Sequence, residues 1–400
     1  MLAIGPVRQR TRAFIFIAIF VDVLGYGMIL PLLPFYAQQF ADGALWAGLL
    51  RALYAGLQFF TGPLLGALSD RVGRRPVLLL CLLATSVAYL LLGLATSLEW
   101  LIAAVTLDGL TGANLIIAQA YLTDRTEPHD RTRAFGLLGA AVGLGAMAGP
   151  AFGGLLSMYG LGVPAFIAAA IALGNVLFGL WALPESLPPE LRARAAPVAT
   201  LPFTHLGETL RVARLRELLL SVFALNLVFN GLQAVFPLYT QQRFGWNSFD
   251  NGLFFGFLGM CAVVVQGFVV GRLQPRLGDE RLTLMGLGLM TATVGGVALV
   301  NEAAWLYPVV AAAAIGSGLA LPALTSLISQ SGNAGEQGRI MGGLQALQAL
   351  SMIAGPALAG WAFDVLGVVR LPWPGSALVA VAWVLAASAL RRPIPKRETA

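Results

Sequence analysis

The sequence predicts an all-α membrane protein of twelve transmembrane helices arranged as two six-helix bundles, on three observations. Of 400 residues, 58% are hydrophobic and only 11% charged, with a mean hydropathy of +0.79, whereas soluble domains carry roughly 25% charged residues. Apolar stretches recur that reach the ~18 to 20 residues an α-helix needs to cross a ~30 Å hydrocarbon core. The chain also repeats itself after about half its length.

The first apolar stretch, 13–37, follows Arg8, Arg10 and Arg12. It is long and lacks a small-residue cleavage pattern, so it reads as a retained helix rather than a leader. About ten residues in, roughly 15 Å deep at ~1.5 Å per residue, stands Asp22, with Tyr26 one turn further on. A charge at mid-bilayer costs roughly 2.5–3.5 kcal/mol on insertion scales, so an intramembrane acid marks a candidate functional group. The second stretch, 45–66, puts Tyr54, Gln58 and Thr61 on one face, with Arg51 near its outer end, placed to snorkel or to pair with Asp42. The third spans 77–96. The fourth, 100–122, carries Asp108 on a face with Thr111, Gly112, Leu115 and Gln119. The fifth, 134–157, is dense in glycine, and the sixth runs 163–183.

Residues 184–214 are rich in Pro and Arg and contain no apolar span, which predicts a cytoplasmic linker between a bundle at 1–183 and one at 215–400. The remaining stretches are 217–239, 251–271, 282–301, 304–328, 340–363 and 373–391. Asn226, Asn230 and Gln233 share a face of the seventh, and Gln345 and Gln348 a face of the eleventh. With Tyr26, Tyr54 and Gln58 they outline a mixed polar and apolar substrate cavity; each singly serves equally as interhelical glue.

The net charge of +6 finds its explanation in topology rather than in a nucleic-acid partner. With a cytoplasmic N-terminus, all Lys and Arg except Arg51, Arg243 and Arg370 fall in cytoplasmic segments, which satisfies the positive-inside rule. An even helix count then places Arg391, Arg392, Lys396 and Arg397 on the same side. Cys81 and Cys261 lie in apolar helices of different halves and read as small core residues. His129 and His205 sit in polar segments, and the chain shows no metal-ligand pair, phosphate-binding loop or nucleophile motif. An enzyme is not expected, nor a cofactor or metal; the energy source would be a proton gradient. The expected partners are a small-molecule substrate, protons and the lipid bilayer, with the monomer as the working unit.

At an offset of 206, Asp130-Arg-Thr-Arg133 through Gly149-Pro150 and Gly154 falls on Glu336-Gln-Gly-Arg339 through Gly355-Pro356 and Gly360. At an offset of 205, Arg71-Val-Gly73 falls on Arg276-Leu-Gly278. Two parallel six-helix repeats about an axis along the membrane normal are the build of a rocking transporter, with its site near the midplane.

Two motifs carry a family resemblance. Gly66-Ala-Leu-Ser-Asp70-Arg71-Val-Gly73-Arg74-Arg75-Pro76 resembles the loop between the second and third helices of the major facilitator superfamily. Its glycines permit a tight turn, and Asp70 is placed to cap a helix N-terminus or pair with arginines, contacts able to gate the cytoplasmic side. Gly145-Ala-Met-Ala-Gly149-Pro150-Ala-Phe-Gly153-Gly154 resembles the helix-five motif of that superfamily's antiporters. Phe244-Gly-Trp-Asn-Ser248, Ala320-Leu-Pro-Ala-Leu324 and Pro184-Glu185 extend the similarity to the twelve-helix drug:proton antiporter branch that includes the tetracycline exporters.

What the resemblance implies is a major facilitator fold in the inner membrane, with both termini cytoplasmic. It also implies a proton-coupled multidrug-type antiporter that exports a small amphiphilic molecule by alternating access. Asp22, in Asp22-Val-Leu-Gly-Tyr26 ahead of Pro31 and Pro34, resembles the required aspartate of helix one and becomes the expected proton site, with Asp108 as a second. The chain departs from its relatives at Val105, where many antiporters carry a functional arginine, and at Met290, where tetracycline exporters carry an acid. Two alternatives stand beside export: an uptake symporter for a sugar or metabolite, disfavoured by the helix-five motif, and a receptor or scaffold that has lost transport.

Overall fold

The computed structural model describes residues 6–192, 210, 212–331 and 337–392. Most of the predicted linker lies outside the described residues, as do His205, Glu336, Lys396 and Arg397. No strand occurs among the described residues. The helices are α1 (Pro6–Ile29), α2 (Leu45–Val72), α3 (Arg74–Gly93), α4 (Leu98–Thr111 and Asn114–Arg125), α5 (Arg131–Ser157), α6 (Gly162–Ala182) and α7 (Ala213–Phe244). Then follow α8 (Ser248–Val264), which continues through a π turn at Val265–Val269 into Val270–Leu299, α10 (Leu306–Ser329), α11 (Gln337–Arg370) and α12 (Pro372–Arg391). Residues 279–299 form α9, set off by a break at Gly278 (φ 72°, ψ 165°).

By length and composition, nine helical runs among the described residues can cross a membrane, and the 52-residue run Ser248–Leu299 supplies two spans because of that break. With α1 and α2 the twelve expected helices are present. Leu80, Leu177, Trp181 and Val384 are among the many large apolar side chains left exposed. In water such a surface would drive aggregation, whereas a bilayer covers it.

Three predicted helices are not continuous, each for a backbone reason. The first stops at Ile29 and resumes as Leu33–Gln38, because Pro31 and Pro34 bring no N–H to continue the ladder. The fourth breaks at Gly112 and Ala113. The eighth widens into the π turn, a feature frequent at functional sites.

The contacts divide the chain into two compact units. The first takes the described residues within Met1–Asp42, Leu53–Ala199 and Trp246–Gly259; the second those within Gly43–Ala52, Thr200–Gly245 and Met260–Ala400. Ile15, Leu78, Leu82, Ile117, Tyr121 and Leu138 belong to the apolar core of the first, and Leu218, Leu225, Leu287, Leu324, Leu344 and Val379 to that of the second.

Each unit is built on a crossing where only glycine fits. In the first, a Cβ on Gly149 of α5 would fall 2.7 Å from Gly27 Cα of α1, and one on Gly153 would fall 2.3 Å from the Met28 carbonyl oxygen. In the second, a Cβ on Gly355 of α11 would fall 2.5 Å from the Leu227 carbonyl oxygen, and one on Gly231 of α7 2.8 Å from that of Gly355. Close backbone approach through small residues is how membrane helices gain packing where the solvent is itself apolar. The same two helices then receive a guest. Gly252 of α8 packs on Pro150 and Gly154, and Gly48 of α2 packs on Pro356.

Candidate functional site

In the first unit the broken α4 organises a buried polar cluster. Where the helix restarts, Asn114 is buried and its Nδ2 donates to Asp22 Oδ1 at 2.7 Å. Breaking a membrane helix frees backbone groups, which then need partners or a ligand. Gln58 of α2 supplies one, donating from Nε2 to the Gly112 carbonyl oxygen at 2.7 Å, while Thr61 donates to the Leu57 carbonyl oxygen of its own helix at 2.8 Å and lies 3.3 Å from that of Gly109. The Tyr54 ring stacks on Tyr26 with centroids 5.3 Å apart. Asp108 is buried.

Among the described residues neither Asp22 nor Asp108 has a basic partner at salt-bridge distance. A carboxylate buried without a cation, as Asp108 is, or half-buried without one, as Asp22 is, is poorly solvated as an anion. Val105, at the position where the resembled antiporters carry arginine, is buried, so no cation enters from that turn.

The loop between α2 and α3 is organised by Arg74. It is 8% exposed; it pairs with Asp70, reaches Asp124 at 3.2 Å, and donates to Ser69 Oγ at 2.6 Å. Gly73 holds φ at 121°, outside the range other residues adopt readily, and turns the chain so that α3 begins against Glu185. That carboxylate accepts from the backbone N–H of Arg74 and Arg75 at 3.0 and 3.2 Å, satisfying donors that a helix start leaves open. Arg75 also donates to the Leu180 carbonyl oxygen at 2.7 Å. Arg71 is exposed, and a Cβ on Gly66 would meet only Ile116, at 3.8 Å. Asp70 thus pairs within its own loop in this structure.

The polar residues singled out on α7 and α11 lie in the second unit. Asn226 and Asn230 donate to the Val222 and Asn226 carbonyl oxygens one turn back. Gln233 accepts from the Arg51 guanidinium, so Arg51 has a side-chain partner other than Asp42. Gln345 is exposed and Gln348 half-buried. This unit also holds a cavity of about 720 Å³, lined by Phe229, Gln266, Ser317, Leu321, Thr325 and Met341 among others.

Sequence reasoning missed Asn114, Gln266 and Glu185's cap. The one local signal for Asn114 is Gly112 two residues before it, since an isolated glycine weakens an apolar helical run. Nothing local marks Gln266, because a π turn has no clear sequence signature.

The Major Facilitator Superfamily model matches residues 15–356. The tetracycline resistance protein of class C from Escherichia coli is 34% identical over 391 residues, covering 94% of this chain and 96% of that protein. The crystal structure of the human organic anion transporter MFSD10 superposes with a TM-score of 0.68 at 26% identity, covering 96% of this chain and all of that one. The nucleoside transporter NupG, at 11% identity and a TM-score of 0.78 over 97% of this chain and 100% of its own, shares the fold. The chain belongs to the major facilitator superfamily and is a multi-pass membrane transporter, not an enzyme.

Proposed function

We propose that the protein is a proton-coupled antiporter of the inner membrane that exports an amphiphilic organic molecule, with Asp22 as the proton site and Asp108 as its neighbour in the relay. The observation that carries this is the pair of intramembrane carboxylates without a basic partner at salt-bridge distance among the described residues, Asp108 buried and Asp22 half-buried and held by Asn114 at the break of α4. A carboxylate that accepts from a neutral amide is oriented without being locked into its charged form, as an ion pair would lock it. It is then free to take up a proton from one side and release it to the other. Similarity to tetracycline resistance proteins supports export, as does the close packing of α5 on α1 through Gly145, Gly149, Pro150 and Gly153. The loop around Asp70 and Arg74 would gate one face, and both termini would be cytoplasmic by the distribution of Lys and Arg.

The test is proton movement in liposomes carrying the purified protein, driven by a panel of amphiphiles and sugars. Wild type is expected to couple amphiphile and proton flux in opposite directions, and Asp22→Asn to bind and exchange substrate with no uphill transport. Uphill transport surviving in that variant would remove Asp22 from the coupling; proton flux driven only by sugars would replace export with uptake.

A further inference from the structure

The cavity in the second unit has a polarity that its residue names alone do not reveal. Its side-chain hydroxyls have already spent their protons. Ser317 donates to the Ala314 carbonyl oxygen at 3.2 Å, Thr325 to that of Leu321 at 2.9 Å, and Ser329 to that of Ser326 at 2.8 Å. Ser326 donates to Asp279 Oδ2 at 2.6 Å. A hydroxyl has one proton and two lone pairs, so each of these now offers the cavity acceptors only, Ser326 the fewest because its Oγ already accepts from Gln330 Nε2 at 2.9 Å. Pro322, also in the lining, has no N–H, which leaves the Gly318 carbonyl without its helical donor and adds a further acceptor. Among the described lining residues, Gln266 alone has side-chain N–H groups to give, and no Lys, Arg or His contributes.

Gln266 sits in the π turn Val265–Val269. It is exposed and makes no hydrogen bond to a described residue. Phe229, Leu321 and Met341 supply apolar surface against this acceptor-rich wall. The volume of about 720 Å³ is that of a drug-sized site.

We propose that this cavity is a substrate subsite for the hydrogen-bond-donating head of an amphiphile, a protonated amine above all, and that it rejects organic anions. An anion entering would give up its hydration against lone pairs, with one amide to replace it, which is unfavourable. An ammonium or guanidinium head would find acceptors along the α10 wall together with the amide oxygen of Gln266, and the carboxylate of Asp279 stands behind Ser326. This rests on the transport reading but not on its proton coupling.

The experiment uses two dyes on one xanthene skeleton, cationic rhodamine 123 and anionic fluorescein. Equilibrium binding to the purified full chain is followed by fluorescence anisotropy without any gradient. Rhodamine 123 is expected to bind about tenfold or more tightly than fluorescein. Gln266→Leu should weaken it roughly five- to tenfold by removing the one adaptable amide. Gln266→Lys, at an exposed position where misfolding is not expected, should reverse the preference. Equal binding of the two dyes, a preference for fluorescein, binding of neither, or indifference to both Gln266 variants would overturn the proposal. If rhodamine binds as expected yet dissipating the proton gradient leaves its transport unchanged, the subsite stands and the antiport reading falls.

Discussion

The two repeats use the same backbone joint and put different chemistry beside it. In the first, α1 and α5 cross at Gly27 and Gly149; in the second, α7 and α11 cross at Gly231 and Gly355. The guest segments repeat too, Gly252 on Pro150 and Gly48 on Pro356. Counting back from these glycines, Asp22 and Tyr26 correspond to Asn226 and Asn230. The intramembrane carboxylates therefore belong to the first repeat, and in the second the side chains equivalent to Asp22 and Tyr26 are amides that bond their own helix. The uncharged cavity lies in the second. The backbone joint is common to both repeats, while the polar groups beside it differ, carboxylates in one and amides in the other.

The largest test of the shared joint is to fill it. A Cβ on Gly48 would lie 2.1 Å from the Pro356 carbonyl oxygen and one on Gly252 2.4 Å from Gly154 Cα. Gly48→Leu and Gly252→Leu are each expected to destabilise by about 3 kcal/mol or more, since neither obstacle is a flexible side chain. Thermal unfolding in detergent reads this, and a mild effect at one site alone would show that the joints are not equivalent. Next in size is the divergence of charge. Asn226→Asp should cost roughly 2.5–3.5 kcal/mol of insertion energy and should not restore proton movement to Asp22→Asn; restoration would make the repeats interchangeable.

A smaller contrast concerns the two aligned loop glycines. Gly73 and Gly278 both hold positive φ, 121° and 72°, but a Cβ on Gly73 would also meet Glu185 Oε2 at 2.4 Å, while one on Gly278 meets nothing within 4 Å. Gly278→Ala should cost about 1–2 kcal/mol for the backbone alone, and Gly73→Ala measurably more in the same melting assay. The smallest concerns the locks on the guest segments. Asp364 accepts from the N–H groups of Ala44 and Leu45 at 2.7 and 2.9 Å, capping the start of α2, whereas at the other joint Ser157 and Ser248 share a hydroxyl contact of 2.7 Å. Loss of the cap in Asp364→Ala is expected to cost ~1 kcal/mol and Ser157→Ala ~0.5–1 kcal/mol. Hydrogen exchange at Ala44 and Leu45 should speed up in the first variant and stay unchanged in the second.

Much of this was legible in the residues. Hydropathy gave twelve spans because each helix must satisfy its own backbone in lipid, and the repeat gave Gly73 and Gly278 the same turn. The glycines of α5 were readable as close-approach positions, though not what approaches them, since that depends on α1 and α8 arriving from elsewhere in the chain. Asp22 stood out by its cost in an apolar run. Its partner Asn114 did not, because a neutral amide carries little penalty and the break of α4 is a tertiary event. The acceptor character of the cavity was beyond sequence altogether: Ser317 and Thr325 read as donors until the structure shows the carbonyl oxygens their hydroxyls lie against.

The π turn in α8 has a further consequence, which is one of phase. A helix turns about 100° per residue, so the residue in excess at Val265–Val269 rotates everything after it relative to a plain α-helix of equal length. Deleting a single residue there would return the turn to a plain α-helix and leave Gly271 and the residues that follow near their present azimuth, whereas a deletion elsewhere in α8 would swing them by about 100°. The π turn is therefore the place in α8 where a change of length is least a change of aim.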